Sequence, residues 1–552
     1  MLYKLKFLQP IWWQTRLAVA LPYISLLGWI LPLLIFSSGE NSLMAHDEGL
    51  YAWRARQMFD SGDWIAPWSN AHHKTPGPYW LIASSYKLLG ISEFSTRLPV
   101  MTASIFALLL LYEIGKILLG KKVAWLAGAI LSVEFLWLQY SRLGTPDVPM
   151  ILLVLLAILS LLKAELHPRY GYFWSFLAGL SLGLGFLVRS FMIFLPIIAL
   201  FPYLIWEHRR HRHLVNPILY LGLVVGLIPT FAWLWFDWLR YGNLSFEQLF
   251  NFVVDLGSKE RNRNGVIFYF WNVPLKSFPW FLFGLLGLVL TIRRPIPRYQ
   301  LILVGFPLVL FAELSIFSTR LSHYSLTLYP FIAMLAAVGL NWLGQVYGLM
   351  GEPGKSYYPE IRKDPLPRYI WIITRNLSYA CGVLGVLLLL GGIVALAGGG
   401  ADIRKYATIG LTMGLGWLIL PVVWVGRYHF GYKWLTSDYW VAGWLVPCWL
   451  ALAVAGSFGV LGDYNPSFRT FIQQPAIAKV LQTHPIYFVQ VGGKTAVLLN
   501  FYTPVHGKKV DSISELPAFS YAWISAQQSA ELSLPHHVLG TVQEYQLVQV
   551  LP

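Results

Sequence analysis

The chain has 552 residues, 56% of them hydrophobic and 12% charged, with a formal net charge of +15. Soluble domains carry about 25% charged residues, so roughly half the charge needed to cover a globular surface is present, which excludes both a string of soluble domains and a disordered chain. The consistent reading is a polytopic membrane protein whose basic residues, set in short loops between apolar runs, meet lipid phosphate rather than nucleic acid.

A span needs about 20 mainly apolar residues. Taken from the N-terminus, such cores lie near 17–36, 98–115, 123–140, 147–162, 171–187, 190–206, 214–236, 274–290, 300–317, 326–345, 379–397, 406–425 and 439–461. They predict about thirteen transmembrane helices. Runs 171–187 and 190–206 meet at Val188-Arg189-Ser190, either as a tight pair of spans or as one broken element. The first run lacks a small-residue cleavage site and reads as a span. Cys381 and Cys448 fall inside apolar runs and read as small hydrophobes.

Orientation follows from the basic residues. With the N-terminus inside, the inner loops hold Lys116, Lys121 and Lys122, then Lys163 and Arg169, then Arg209, Arg210 and Arg212, then Arg293, Arg294 and Arg298. The outer loops at 141–146 and 188–190 are nearly free of charge. An odd number of spans then places the C-terminal segment outside. The chain thus divides into a transmembrane domain over 1–461, with outer loops at 38–97 and 237–273, and an extracytoplasmic α/β or α+β domain over 462–552. The expected setting is the plasma (inner) membrane.

Within the first outer loop, 48–59 has amphipathic helical character. In the second, Leu244, Phe246, Leu249, Phe250, Phe252, Val253 and Leu256 predict a helix lying in the membrane interface. The tail carries strand-like runs at 487–491 and 546–550.

Carboxylates at span ends are costly and usually functional. Asp47 and Glu48 open the first outer loop, and Asp147 opens span four on the same face. The plainer reading makes Asp147 an N-cap and Asp47 a helix-start acid beside the positive end of a helix dipole. Cations share that face: Lys74, Arg97, Arg261, Arg263 and Arg320. Most such cations snorkel. Lys74, however, precedes Thr75-Pro76-Gly77-Pro78, and the prolines would fix its position.

The residues Ala45-His46-Asp47-Glu48, Gly62-Asp63-Trp64 and Lys74-Thr75-Pro76 leading to Tyr79-Trp80 resemble a known family. So do Arg97-Leu98-Pro99, Arg142 to Asp147, Gly183-Leu184-Gly185-Phe186-Leu187 and Leu321-Ser322-His323-Tyr324 leading to Tyr329-Pro330. Together, in order over about 15–345, they resemble the protein O-mannosyltransferase and lipid A aminoarabinose transferase group of membrane glycosyltransferases, of the GT-C fold. Thr75 after the lysine, His73 before it, Arg189 where a lysine is usual and Arg320 in the last motif depart from the family pattern.

The resemblance implies an inverting enzyme that moves a sugar from a polyprenyl phosphate to a hydroxyl or phosphate acceptor. Lipid A, a protein hydroxyl and another envelope glycan remain open as acceptors. It makes Asp47 the general base and Asp147 a second site carboxylate. Lys74 would hold the donor phosphate, with Arg261, Arg263 and Tyr324 assisting. Glu48, Tyr51, Arg142, Arg189 and Arg320 are further site candidates. No nucleotide is implied, and no P-loop or dinucleotide signature is present. In some relatives the acid before the lysine contributes to a divalent-cation site, which would bring in His73 and His323, with His72 and Glu48 as partners. The competing classes are a transporter and a non-catalytic lipid-binding membrane protein. An oligosaccharyltransferase would carry a Trp-Trp-Asp-Tyr-Gly motif, which is absent.

Overall fold

The computed structural model describes residues 11–68, 71–258, 264–349, 366–462, 464–527 and 535–552. The thirteen expected span cores fall on apolar helical segments, with 123–140, 274–290 and 406–425 each divided between two helices. By length and composition, eight described helices can cross a membrane, or ten if each of two bent pairs is one span. The bent pairs are Lys121–Val133 with Phe135–Ser141, at 71°, and Phe268–Lys276 with Trp280–Arg293, at 110°. Val19–Ile35 and Leu301–Ile316 are shorter apolar helices.

The stretch Pro168–Trp206 is continuous in its apolar character, yet it crosses twice. Its first helix, Gly171–Arg189, ends with Arg189 paired to Asp147, the first residue of helix Asp147–Leu166. Its second helix, Phe194–Trp206, carries Tyr203, whose hydroxyl donates to Glu165 in the last turn of that same helix. The two ends of helix Asp147–Leu166 lie on opposite faces, so the chain must return between them. Ser190, with φ +51 and ψ −140, makes the turn. The expected alternative of a tight pair of spans is the one realised.

Local chemistry explains the helix ends and the closest packing. Ser92 accepts from the Ser95 N–H at 3.1 Å, and Ser95 returns a bond to the Ser92 N–H, a reciprocal cap for helix Glu93–Leu119. Helices Gly171–Arg189 and Pro217–Tyr241 run parallel in contact through Gly179 and Gly183 on one and Gly222 and Gly226 on the other. A Cβ on Gly179 would lie 1.9 Å from the Leu219 carbonyl oxygen, and one on Gly183 would lie 2.6 Å from that of Leu223. Small residues spaced by four let helix backbones meet where lipid provides no hydrophobic drive.

The C-terminal domain holds a five-stranded sheet of β1 (Ile486–Val489), β2 (His506–Val510), β3 (Tyr521–Ser525), β4 (His536–Val542) and β5 (Tyr545–Val550), in the order β2-β1-β3-β5-β4. β1 pairs in parallel with β2 and β3, while β5 is antiparallel to β3 and β4. Parallel pairing needs a crossover, and helix Gly493–Tyr502 supplies the one between β1 and β2. This helix also joins the domain to the membrane part. Its Leu498, Leu499 and Phe501 share one buried apolar cluster with Tyr51, Ala52 and Met58 of helix Asp47–Ser61. Arg56 donates to the Phe501 carbonyl, and the Tyr502 hydroxyl accepts from the Leu43 N–H at 3.1 Å. The helix that begins with Asp47 is therefore braced from both sides.

Candidate active site

The chain turns sharply just before Asp47. His46 holds φ +77 and ψ −73, and the Asp47 N–H donates to the Ala45 carbonyl at 3.2 Å. A three-residue turn of this hand is strained for any residue but glycine, and such strain concentrates at functional sites. It leaves two neighbouring carboxylates in different surroundings. The Asp47 side chain is 42% exposed and lines a cavity of about 470 Å³. That of Glu48 is fully buried.

Glu48 is consumed by structure. It receives Arg97 Nε at 2.7 Å and Nη2 at 2.9 Å, the Gly144 N–H at 3.0 Å and the Met44 N–H at 2.8 Å. Arg97 also donates to the carbonyls of Ser38, Asn41 and Ser42. Glu48 therefore lies behind the cavity wall, and its expected places among the site residues and as a metal partner are corrected. Arg142 is corrected likewise. It donates to the carbonyls of Leu33, Leu34 and Phe36, satisfying groups that the end of the first helix leaves open. Arg320 is buried and donates to the carbonyls of Asn264, at 2.8 Å, and Ser315, at 3.2 Å. None of these three lines the cavity.

The remaining described candidates meet. Asp47, Tyr51, His73, Lys74, Asp147 and Arg189 line one cavity together with His323 and Tyr324. The Lys74 ammonium lies 4.7 Å from the Tyr51 ring centroid. Its segment is set by Gly77, where a Cβ would sit 2.6 Å from the Leu187 carbonyl oxygen. Only glycine lets the loop pack this closely against the span that ends in Arg189. The Lys74 N–H donates to His72 Nδ1 at 3.1 Å. Burial, reinforced by His73, Arg54 and Lys74, holds the His72 imidazole well below its ordinary pKa, so it stays neutral and able to accept.

Asp147 is not an N-cap. Pro146 occupies that position, and Asp147 is the first helical residue with no capping bond. Its carboxylate instead pairs with Arg189 Nη2 at 2.8 Å, with the aspartate side chain 5% exposed. The Arg189 guanidinium also lies 5.9 Å from the Tyr324 ring centroid. The two aspartates therefore differ: Asp147 is shielded by a fixed cation, whereas Asp47 is open. At Asp47 burial works against the charge, but His323, His46 and Lys74 outweigh it and hold the carboxyl below its ordinary value.

Arg261 and Arg263 lie outside the described residues. His73 stacks on His72 at 4.7 Å and contacts Phe252 at 4.8 Å. His323 stacks on Tyr140 at 5.4 Å. Among the described residues neither histidine belongs to a set of three His, Cys, Asp or Glu ligand atoms lying within 4.8 Å of one another. Lys74 and Arg189 share the cavity with them. A set with that spacing does occur elsewhere, as Glu165, His211 and His213. There the Glu165 oxygens already receive Tyr203 and Arg210.

Four polar lining residues escape the sequence reading: Tyr140, Gln248, Asn251 and Asp255. The last three recur at i, i+3 and i+7 on helix Leu244–Ser258. That period marks one helix face and was legible beside the apolar one.

Residues 73–236 match the family described as dolichyl-phosphate-mannose-protein mannosyltransferase. Over 458 residues the chain is 26% identical to an undecaprenyl phosphate-alpha-4-amino-4-deoxy-L-arabinose arabinosyl transferase of Pectobacterium atrosepticum, covering 78% of this chain and 75% of that one. It is also 26% identical to an uncharacterized protein of Aquifex aeolicus, spanning 56% of this chain and 62% of the relative's length. Among solved structures, ArnT from Cupriavidus metallidurans bound to undecaprenyl phosphate shares the fold, with a TM-score of 0.71 at 20% identity over 96% of this chain and 98% of that one. The chain thus shares the ArnT fold and is similar in sequence to membrane glycosyltransferases named for undecaprenyl-phosphate-linked and dolichyl-phosphate-linked sugars.

Proposed function

We propose that the cavity transfers one sugar from a polyprenyl-phosphate donor to a hydroxyl or phosphate of an envelope acceptor, such as a lipid A-like lipid, with inversion at the anomeric carbon. The observation that carries this reading is the split between an open Asp47 and the fixed cations Lys74 and Arg189 in one cavity. With a hydroxyl acceptor Asp47 takes its proton, and with either acceptor the cations stabilise the charge that develops on the departing phosphate. Undecaprenyl phosphate, bound by the Cupriavidus protein, is the donor carrier we assign. Tyr324 and Asp147 hold Arg189 in place, and Arg261 and Arg263 are further phosphate contacts under this reading. No step runs through a metal.

The direct test incubates the purified protein with a sugar-charged undecaprenyl phosphate and measures release of the bare lipid phosphate. No release with any charged donor, in the presence of lipid A, would overturn the reading. Lys74→Ala is expected to weaken binding of undecaprenyl phosphate by about 10- to 100-fold, as fits a charge-assisted hydrogen bond of about 1.5–3 kcal/mol. Lys74→Arg should recover only part, because a planar guanidinium does not reproduce a compact ammonium over Tyr51. Unchanged binding by Lys74→Ala would leave the phosphate to Arg189.

The same reading places the cavity and the sheet domain outside the inner membrane and the chain's N-terminus inside. Its support is the basic loops at the other ends of the spans, around Lys121, Arg169, Arg209 and Arg293. In intact cells an impermeant thiol reagent should label Ser61→Cys and Gln482→Cys but not Arg209→Cys. The native Cys381 and Cys448 are buried and give no background. Labelling of Arg209→Cys alone would reverse the assignment.

A further inference from the structure

Helix Leu244–Ser258 presents three different faces. Leu249 is buried against Trp233 and Leu234 and anchors the helix. Phe246, Phe250 and Val254 are about half exposed, at 50%, 62% and 48%, and form an apolar face away from that anchor. Gln248, Asn251 and Asp255 line the catalytic cavity. The last set has the composition of a carbohydrate contact: amides both donate to and accept from hydroxyls, and a carboxylate accepts from them. It differs from the part of the lining where Lys74 and Arg189 supply the positive charge suited to a phosphate.

The register of the helix relative to Lys74 is fixed. Phe252, beside Asn251 in sequence, contacts the ring of His73 at 4.8 Å, and His73 immediately precedes Lys74. A donor sugar is joined to its phosphate through a single bridging oxygen. With the phosphate at Lys74, the sugar ring must lie within a few bonds of that point, where the polar face of the helix forms the nearby wall. Resting on the proposed polyprenyl-phosphate chemistry, we propose that Gln248, Asn251 and Asp255 form the subsite that hydrogen-bonds the hydroxyls of the donor sugar. They give preference for a charged donor over the bare lipid phosphate. The apolar face of the same helix lies against lipid and keeps this wall at the interface, where a polyprenyl-linked sugar arrives.

The test compares equilibrium binding of bare undecaprenyl phosphate with that of undecaprenyl phosphate carrying one hexose or one pentose, using the full-length purified protein. Wild type is expected to bind at least one charged lipid more tightly than the bare one. Asn251→Ala should weaken that charged lipid by about 3- to 10-fold, the range of one neutral hydrogen bond, and leave the bare lipid unchanged. Gln248→Ala/Asn251→Ala should lose more than 10-fold, again only for the charged lipid, and Asp255→Asn should behave as Asn251→Ala does. Lys74→Ala should weaken both lipids alike. If wild type shows no preference for any charged lipid, or if Asn251→Ala shifts both lipids equally or neither, the subsite is wrong while the phosphate reading stands. If wild type binds none of the lipids, the phosphate reading itself falls, and the subsite with it. Gln248 and Asn251 are exposed on the helix, so their alanine variants should fold.

Discussion

Replacing Asp47 with asparagine is expected to slow transfer by about 10²–10⁴-fold, the usual cost of losing a positioned general base. The substitution keeps the size and polarity of a half-exposed side chain, so expression and undecaprenyl phosphate affinity should stay close to wild type. Under the proposed reading Lys74 holds the donor phosphate, and Asp47→Asn and Lys74→Ala should separate in a binding assay even if neither turns over. The pH profile adds a second check. A base works deprotonated, and Asp47 is held below its ordinary value because His323, His46 and Lys74 outweigh the burial that opposes its charge. The acid limb of the rate should therefore fall below the ordinary aspartate range near about pH 3.9 rather than above it. The same depression stabilises the fold above the unfolded pKa, and that contribution is lost as pH falls through the folded one. A phosphate acceptor, already ionised at neutral pH, asks for no base. Near wild-type turnover by Asp47→Asn would remove the base assignment and point to such an acceptor.

The spans were legible because hydrocarbon thickness sets a length that a run of apolar residues either meets or does not. The turn at Ser190 was not legible, since apolar character continues through it. Only the partners of Arg189 and Tyr203, at opposite ends of one helix, show that the chain reverses. Strand β1 stops at Val489 rather than at the expected 491, because Gln490 adopts φ +47 and leaves the ladder. In the cavity, Asp47, Lys74 and Asp147 were readable from motif and face together. Glu48, Arg142 and Arg320 carry the same outward signs of charge near an interface, but their partners are not encoded nearby. Arg97 lies 49 positions from Glu48, and the groups that hold Arg142 are main-chain carbonyls, to which any sequence is blind. The polar face of helix Leu244–Ser258 shows in the spacing of Gln248, Asn251 and Asp255, but only the fold brings that face to the cavity.

Arg97→Met is expected to be the most damaging single change to the fold. Arg97 is 2% exposed, and its guanidinium satisfies the Glu48 carboxylate and three carbonyls of the segment that follows the first span. Removing it leaves a buried carboxylate with only the Met44 and Gly144 N–H groups. Breaking a buried pair from one side costs about 3–5 kcal/mol, comparable to the whole stability of many domains. The expected result is a large drop in the detergent melting temperature, with little monodisperse protein recovered. Glu48→Gln should also be destabilising, because the Met44 and Gly144 N–H groups bond different carboxylate oxygens and the amide keeps only one acceptor, turning its NH2 toward donors. The double variant Glu48→Gln/Arg97→Met should be more stable than the sum of the two single losses allows, since no uncompensated charge remains. It should still fall short of wild type, because the carbonyls of Ser38, Asn41 and Ser42 lose the bonds that Arg97 donates. Additive losses, or wild-type stability in Arg97→Met, would show that water reaches the pair and that it does not anchor the loop. Because Glu48 adjoins Asp47, any folded Arg97→Met should also lose transfer more than donor affinity, since under the proposed reading the displaced group is the base and the phosphate contact is Lys74.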